Sequence, residues 1–276
     1  MEFRYLGTAT AEGLPTMFCK CPVCERSRKL GGRNIRTRTQ AMVDGRLLID
    51  FPPETQWHMQ RDGLCLADFT DVLITHRHGD HLYPHDVGIL RYGFAYPPKG
   101  THVTFHGSAL VGEEIRPLME LLAREGTAEF VEVTPFTPFE INGYTVTALP
   151  AVHDPASGPV IYQITDGAKT ILYAHDTNLF GEDVWDYWKS HPVRFDFVSL
   201  DCTYALAESQ SKGHMNLAMN RQVRARMLET GLADEATRFA CNHFSHNGGE
   251  IVYDDFVPAA AKDGFLVSYD GMTLAV

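Results

Sequence analysis

Residues 75–81 read Thr-His-Arg-His-Gly-Asp-His, which sets three imidazoles and a carboxylate within six consecutive positions. An ordinary core cannot bury such a cluster, because each group would need a polar partner inside. The run Asp71-Val72-Leu73-Ile74-Thr75 reads as a buried strand, so the cluster begins where a rigid element ends. Ligands placed there are held firmly yet stay open to solvent. In extended backbone His76 and His78 point the same way, since side-chain direction repeats every two residues. Gly79 then permits a sharp turn that swings Asp80 and His81 to another side. The spacing suits two adjacent metal ions, His76 and His78 on one, Asp80 and His81 on the other.

Strand-like runs recur along the chain: Glu2–Leu6, Gln40–Val43 with Arg46–Ile49, Asp71–Thr75, His102–Phe105, Tyr144–Leu149, Val160–Thr165, Thr170–Ala174, Asp196–Leu200, Phe239–Asn242 and Phe265–Ser268. Asp44-Gly45 and Asp270-Gly271 read as hairpin turns. Helical periodicity covers Ser108–Arg124 with Ser108 as cap, then Asp183–Lys189, Asn216–Thr230 ahead of Gly231, and Asp254–Lys262. This order predicts an α/β sandwich in which two mixed β-sheets pack face to face with helices outside, one domain over residues 1–276.

A cation pair needs further donors, and three stand at the ends of other strand-like runs. They are His153 after Tyr144–Leu149, Asp176 after Thr170–Ala174 and His243 after Phe239–Asn242. The two oxygens of Asp176 let it bridge. His175 should face the other way and is read as structural; His58, His102, His106 and His191 are read as surface or packing residues. Two such cations can share a hydroxide and stabilise the attacking and leaving oxygens of an in-line displacement. A phosphodiester makes use of all of this. His214, just before the helix Asn216–Thr230, is the candidate proton donor, with the helix end expected to depress its pKa.

Cys19-Lys20-Cys21-Pro22-Val23-Cys24 offers three corners of a zinc tetrahedron. In a cytosolic chain a cluster this tight points to metal rather than disulfide. His246, three residues past His243, is the expected fourth ligand. The site would occupy a loop at about 17–32 and cross-link it to the segment carrying His243. Cys65, Cys202 and Cys241 have apolar neighbours and are expected in the core.

A net charge of −11 works against tracking a long nucleic-acid backbone. No stretch of about 18 apolar residues marks a membrane span, and Glu2 stands where a signal peptide needs positive charge. A cytoplasmic setting is expected. Arg77, Arg91, Lys99 and Lys212 are the cations nearest the cluster in sequence, and nothing ranks them as phosphate ligands.

The run His76–His81 resembles the His-x-His-x-Asp-His signature of the metallo-β-lactamase fold, and His153, Asp176 and His243 resemble the downstream ligands of its hydrolases. That resemblance implies an αββα sandwich. Leu6-Gly7-Thr8, Gly13-Leu14-Pro15, the cysteine cluster and His243-Phe244-Ser245-His246 are similar to the PhnP family of phosphoribosyl 1,2-cyclic phosphate phosphodiesterases. It implies two divalent cations, Mn2+ or Zn2+, one on His76, His78, His153 and Asp176, the other on Asp80, His81, Asp176 and His243. It further implies a structural zinc on Cys19, Cys21, Cys24 and His246, catalytic roles for His214 and Asp80, and a small, cyclic phosphate ester as substrate, and it leaves a homodimer open. His85-Asp86 and Ala174-His175-Asp176-Thr177-Asn178 depart from the family's pattern and are expected to reshape the pocket. PqqB-type cofactor-biosynthesis proteins look alike at the N-terminus, tRNA 3′-end endonucleases share the histidine signature, and β-lactam or thioester hydrolysis would use the same metals.

Overall fold

A computed structural model describes residues 1–91 and 93–276. In chain order the elements are β1 (Glu2–Gly7), α1 (Pro22–Leu30), β2 (Gln40–Val43), β3 (Leu47–Ile49), α2 (Thr55–Asp62), β4 (Asp71–Leu73), α3 (Pro84–Val87), β5 (Val103–Gly107), α4 (Ala109–Glu125), β6 (Ala128–Glu132) and β7 (Phe139–Ile141). There follow β8 (Tyr144–Pro150), β9 (Val160–Thr165), β10 (Thr170–Ala174), α5 (Glu182–Ser190), β11 (Phe197–Asp201), α6 (Leu217–Glu229), β12 (Arg238–Asn242), α7 (Tyr253–Ala261), β13 (Phe265–Val267) and β14 (Thr273–Ala275). One seven-stranded sheet has the order β14-β1-β2-β3-β4-β5-β6, the other β13-β12-β11-β10-β9-β8-β7. Both are mixed, with the parallel pairs β3/β4/β5/β6 and β10/β11/β12/β13.

Strand alternation explains the layering. Ile171 and Tyr173 of β10 pack with Phe3, Tyr5, Ile49 and Leu73 in the layer between the sheets. Leu172 and Ala174 face the other way, against Trp188, Val223 and Phe256 of the outer helices. On the first sheet Leu48, Val72 and Phe105 meet Val111, Ile115 and Leu122 of α4. With both faces covered, the strands read as nearly continuous apolar runs. Among the described residues, no helix is long and apolar enough to cross a membrane.

The Asp44-Gly45 hairpin forms between β2 and β3, with both residues at positive φ (49° and 67°). Asp270-Gly271 makes no hairpin: β13 lies in the second sheet and β14 in the first, so this turn carries the chain from one to the other. Its Asp270 carboxylate accepts from the Thr37 backbone N–H at 2.7 Å and the Thr8 hydroxyl at 2.6 Å, a role hairpin patterning does not anticipate. Ser108 stands at the α4 N-cap but its side chain makes no capping bond, whereas Asn216 caps α6 by accepting from Met219 N–H at 2.9 Å. The cysteine segment is only partly a loop, since Cys24 lies inside α1 and the Cys21 thiol accepts from its backbone N–H. Cys202 and Cys241 are buried as expected, but Cys65 is exposed, in the short segment between α2 and β4.

Candidate metal centre

Parallel strands in register end together, and this brings the candidate residues to one edge. Asp50 follows β3 and His76 follows β4, while Asp176, Asp201 and His243 stand at the ends of β10, β11 and β12. β8 runs antiparallel to β9, and β9 to β10, so β8 also ends at this edge and delivers His153. Asp50, Asp176 and His243 adopt left-handed backbone, φ 66°, 50° and 63°. For side-chain-bearing residues this costs about 1–3 kcal/mol each, and such strain gathers at functional sites.

Two donor clusters result. His76 Nε2 lies 2.9 Å from His78 Nδ1, which is 3.4 Å from His153 Nε2. Beside them, His81 Nε2 approaches Asp80 Oδ2 at 3.2 Å and Asp176 Oδ2 at 2.8 Å, and His243 Nε2 reaches the same Asp176 oxygen at 2.8 Å. The other oxygen of Asp176 faces His153 Nε2 at 3.7 Å. Asp176 thus stands between the clusters with one oxygen toward each. His81 Nε2, His243 Nε2 and Asp176 Oδ2 are buried and have no hydrogen-bond partner despite this proximity, so their polar atoms converge on a common space without satisfying one another. Ligands about 2.1 Å from one cation stand about 3 Å apart. The donor set fits a pair of divalent cations.

The second nitrogen of each imidazole is also held, which fixes ring orientation as in built metal sites. His76 Nδ1 meets Thr75 Oγ1 at 3.1 Å, His78 Nε2 meets Asp154 Oδ2 at 3.4 Å, and His81 Nδ1 meets Asp50 Oδ2 at 2.8 Å. His153 Nδ1 meets the Gly213 carbonyl at 3.3 Å, and His243 Nδ1 meets Thr203 Oγ1 at 2.9 Å. Burial drives the His76 pKa far down, keeping its lone pair free. Burial also pulls on His81 and His243, but nearby carboxylates outweigh it, Asp176 foremost, and raise His243 to about 10.

Asp201 is fully buried and acts as a hub. Its Oδ2 accepts from His214 Nδ1 at 3.0 Å and the Asp176 backbone N–H at 3.1 Å; its Oδ1 accepts from the Thr203 and Met215 N–H groups, both at 3.0 Å. His214 Nδ1 also lies 3.8 Å from Asp176 Oδ1. Burial lowers the His214 pKa, yet the Asp201 charge and hydrogen bond prevail and the net shift is upward. The expected depression by the helix end is therefore overturned: α6 starts only at Leu217, and the carboxylate in direct contact dominates.

The cysteine cluster meets His246 as expected. Its Nδ1 lies 3.3, 3.5 and 3.7 Å from the Sγ atoms of Cys19, Cys21 and Cys24. In tetrahedral zinc with Zn–S near 2.3 Å and Zn–N near 2.1 Å, sulfur and nitrogen stand about 3.6 Å apart. Hydrogen bonding from the Cys21 backbone brings the Cys19 thiol down to about 7. Between His243 and His246, Phe244 pairs in parallel with Ala9, and its N–H donates to the Thr8 carbonyl at 2.9 Å. The N-terminal loop and the His243 segment are tied together at this point.

Asp50, Asp201, Asp154, Thr203 and Gly213 belong to the site without having been anticipated. Asp50 and Asp201 carried the signal already used for Asp176, an acid at the end of an apolar run. Gly79 has open space and no left-handed backbone, so the turn after His78 does not require glycine. His175 turns inward and is buried, as expected. His85 and Asp86 pair with each other at 3.1 Å and join none of the donor clusters; Asp86 lines an apolar cavity of about 290 Å³ with Phe51, Phe69 and Phe105.

Known proteins share this architecture. A diphosphatase of the PhnP family superposes with TM-score 0.75 at 20% identity, covering 99% of this chain and 97% of that one. Zn2+-bound PqqB from Methylobacterium extorquens gives 0.75 at 19% identity over the whole of both chains. In sequence, Ribonuclease Z of Listeria monocytogenes is 26% identical over 153 residues, 54% of this chain and only 44% of that protein. The description of the beta-lactamase superfamily domain matches residues 45–243, from the β2–β3 hairpin to His243. This chain belongs to the beta-lactamase superfamily, a family of metal-dependent hydrolases, and is built on the metallo-β-lactamase αββα sandwich.

Proposed function

We propose that the protein is a phosphodiesterase acting on a small, cyclic phosphodiester such as phosphoribosyl 1,2-cyclic phosphate. The observation that carries this reading is Asp176, with one oxygen toward each donor cluster and with His214 beside it on the Asp201 carboxylate. His76, His78, His153 and Asp176 would hold one cation, Mn2+ or Zn2+, and Asp80, His81, Asp176 and His243 the other. When bound, the pair supplies positive charge for the phosphoryl oxygens and makes water more acidic. His214 gives its Nδ1–H to Asp201, leaving Nε2 as the end that hands a proton to the departing alkoxide. Asp201 keeps that imidazole protonated and fixed, as an orienting carboxylate does for a general acid or base. Cys19, Cys21, Cys24 and His246 would hold a structural zinc that stiffens the His243 segment. Three thiols kept as zinc ligands suit a reducing, cytoplasmic setting.

The net charge of −11 favours a small phosphate ester over a long nucleic acid. The test is a substrate panel on purified protein: bis-p-nitrophenyl phosphate, 2′,3′-cyclic nucleotides, phosphoribosyl 1,2-cyclic phosphate, a precursor tRNA and a β-lactam. Turnover of the small diesters, abolished by chelation and restored by Mn2+ or Zn2+, is expected. Cleavage of the tRNA or the lactam alone would contradict the reading.

A further inference from the structure

His214 ends a stretch, Leu206–Gly213, that belongs to no helix or strand, so its place over the metal centre must come from side-chain ties. Three backbone carbonyls supply them. Those of Ser211 and His214 accept from Asn178 Nδ2 at 3.3 and 3.0 Å. The Gly213 carbonyl, between them in sequence, meets His153 Nδ1 at 3.3 Å. Asn178 Oδ1 accepts in turn from the Leu179 backbone N–H at 2.7 Å. Every partner of this amide is a backbone group of fixed polarity, so its orientation is set: oxygen toward the N–H, nitrogen toward the two carbonyls.

Asn178 closes the run Ala174–Asn178 and lies two residues past Asp176. Its own backbone is fastened to the His153 segment: Asn178 N–H donates to the Val152 carbonyl at 2.9 Å, and Val152 N–H donates to Thr177 Oγ1 at 2.9 Å. The side chain therefore acts from a held mount. Ser209 Oγ also lies 3.0 Å from the Ser211 and His214 carbonyls, but it moves with the same stretch, and one hydroxyl hydrogen serves one acceptor. Asp201 holds the other side of His214, through its ring and through the Met215 N–H.

We infer that Asn178 is a positioning residue for the proton donor: it fixes the backbone from which His214 extends and so determines which diesters the centre can cleave. The inference rests on the phosphodiesterase reading above. In that reaction hydroxide oxygen bonds to phosphorus and the P–O bond to the leaving group breaks, its electron pair staying on the departing oxygen. A ribose alkoxide is too basic to depart so and takes the His214 Nε2 proton, leaving a neutral imidazole, whereas p-nitrophenolate departs without one. Loss of the Asn178 tie therefore penalises sugar esters and largely spares nitrophenyl esters.

Two substitutions test this. Asn178→Asp keeps the acceptor for Leu179 and replaces the donor on both carbonyls with an acceptor. Asn178→Leu keeps the volume, removes the donor and adds no charge. Full-length, metal-loaded protein is assayed on bis-p-nitrophenyl phosphate and on a cyclic sugar phosphate, either a 2′,3′-cyclic nucleotide or phosphoribosyl 1,2-cyclic phosphate, whichever wild type turns over faster. Metal content is measured alongside. We expect both variants to lose roughly tenfold to a hundredfold in kcat on the cyclic ester, far less on the nitrophenyl ester, and to keep the wild-type metal count. Independently of activity, the Gly213 and Met215 amides, which donate to Ser211 Oγ and Asp201 Oδ1, should exchange hydrogen faster in both variants. Asn178→Leu carries the test if Asn178→Asp does not fold, and the reverse. Equal loss on the two substrates, an undiminished rate on the cyclic ester, a loss confined to Asn178→Asp when both fold, or unchanged exchange overturns the inference and leaves the phosphodiesterase reading intact. A wild type that cleaves neither class of diester overturns both.

Discussion

The Asp201 carboxylate receives the imidazole of His214, the ring of His243 and the backbone N–H of Asp176, so one side chain aligns the residues proposed as proton donor, metal ligand and bridging acid. Asp201→Asn keeps the shape but removes the charge that raises the His214 pKa. We expect kcat to fall roughly a hundredfold and the alkaline limb of the pH–rate profile to move to lower pH, because His214 then loses its proton earlier; an unmoved limb would contradict this. Gly213 is constrained by distance rather than by backbone angle, since a Cβ there would lie 2.7 Å from His153 Nδ1. Gly213→Ala should push His153 aside and weaken one cation by roughly tenfold in a metal titration, with little change in melting temperature. The residues of the histidine run were legible because so many metal-capable side chains in a row have few other uses. Asp50 and Asp201 were not, because single aspartates after strands are common, and Gly213 gave no signal because its role is set by a segment sixty residues away.

At the scale of elements, the strand ends were readable from apolar runs, and with them the edge where the ligands gather. Helices α1 and α2 were not. Each buries only a few residues, Val23, Cys24 and Ser27 in one and Thr55, His58 and Met59 in the other, too few to print a helical period. His58 fastens α2 to the first sheet, with Nδ1 2.6 Å from Gln40 Oε1 and Nε2 2.6 Å from Thr37 Oγ1. Burial pushes its pKa down to about 3. The unfolded chain therefore binds a proton there that the folded chain refuses, so this stabilisation is complete above about pH 6.5 and fades as pH falls toward 3. The urea midpoint should drop between pH 7 and pH 5, and His58→Gln should narrow that drop; an identical pH dependence in the variant would show that His58 is not the group responsible. The turn at Asp270 was misread for a different reason: its Asp-Gly signature fits a hairpin, but the strands on either side belong to different sheets.

Across the whole molecule the centre is a seam. His76, His78, Asp80 and His81 extend from the first sheet, whereas His153, Asp176 and His243 extend from the second. Cations seated there would bind only the closed sandwich and so stabilise it, by about 2.7 kcal/mol at a hundredfold excess over Kd. Chelation should lower the melting temperature accordingly, and added Mn2+ or Zn2+ should restore it. Substrate choice lies beyond what pattern can supply, since the same fold is shared by a diphosphatase and a Zn2+-bound PqqB at equal TM-score. The shared use of Asp176 by both donor clusters is the claim on which the account turns, and counting metals per chain in wild type and Asp176→Ala by elemental analysis tests it most directly. Three in wild type, falling to the single zinc of the cysteine site in the variant, is the predicted result. An Asp176→Ala protein that keeps all three would contradict it.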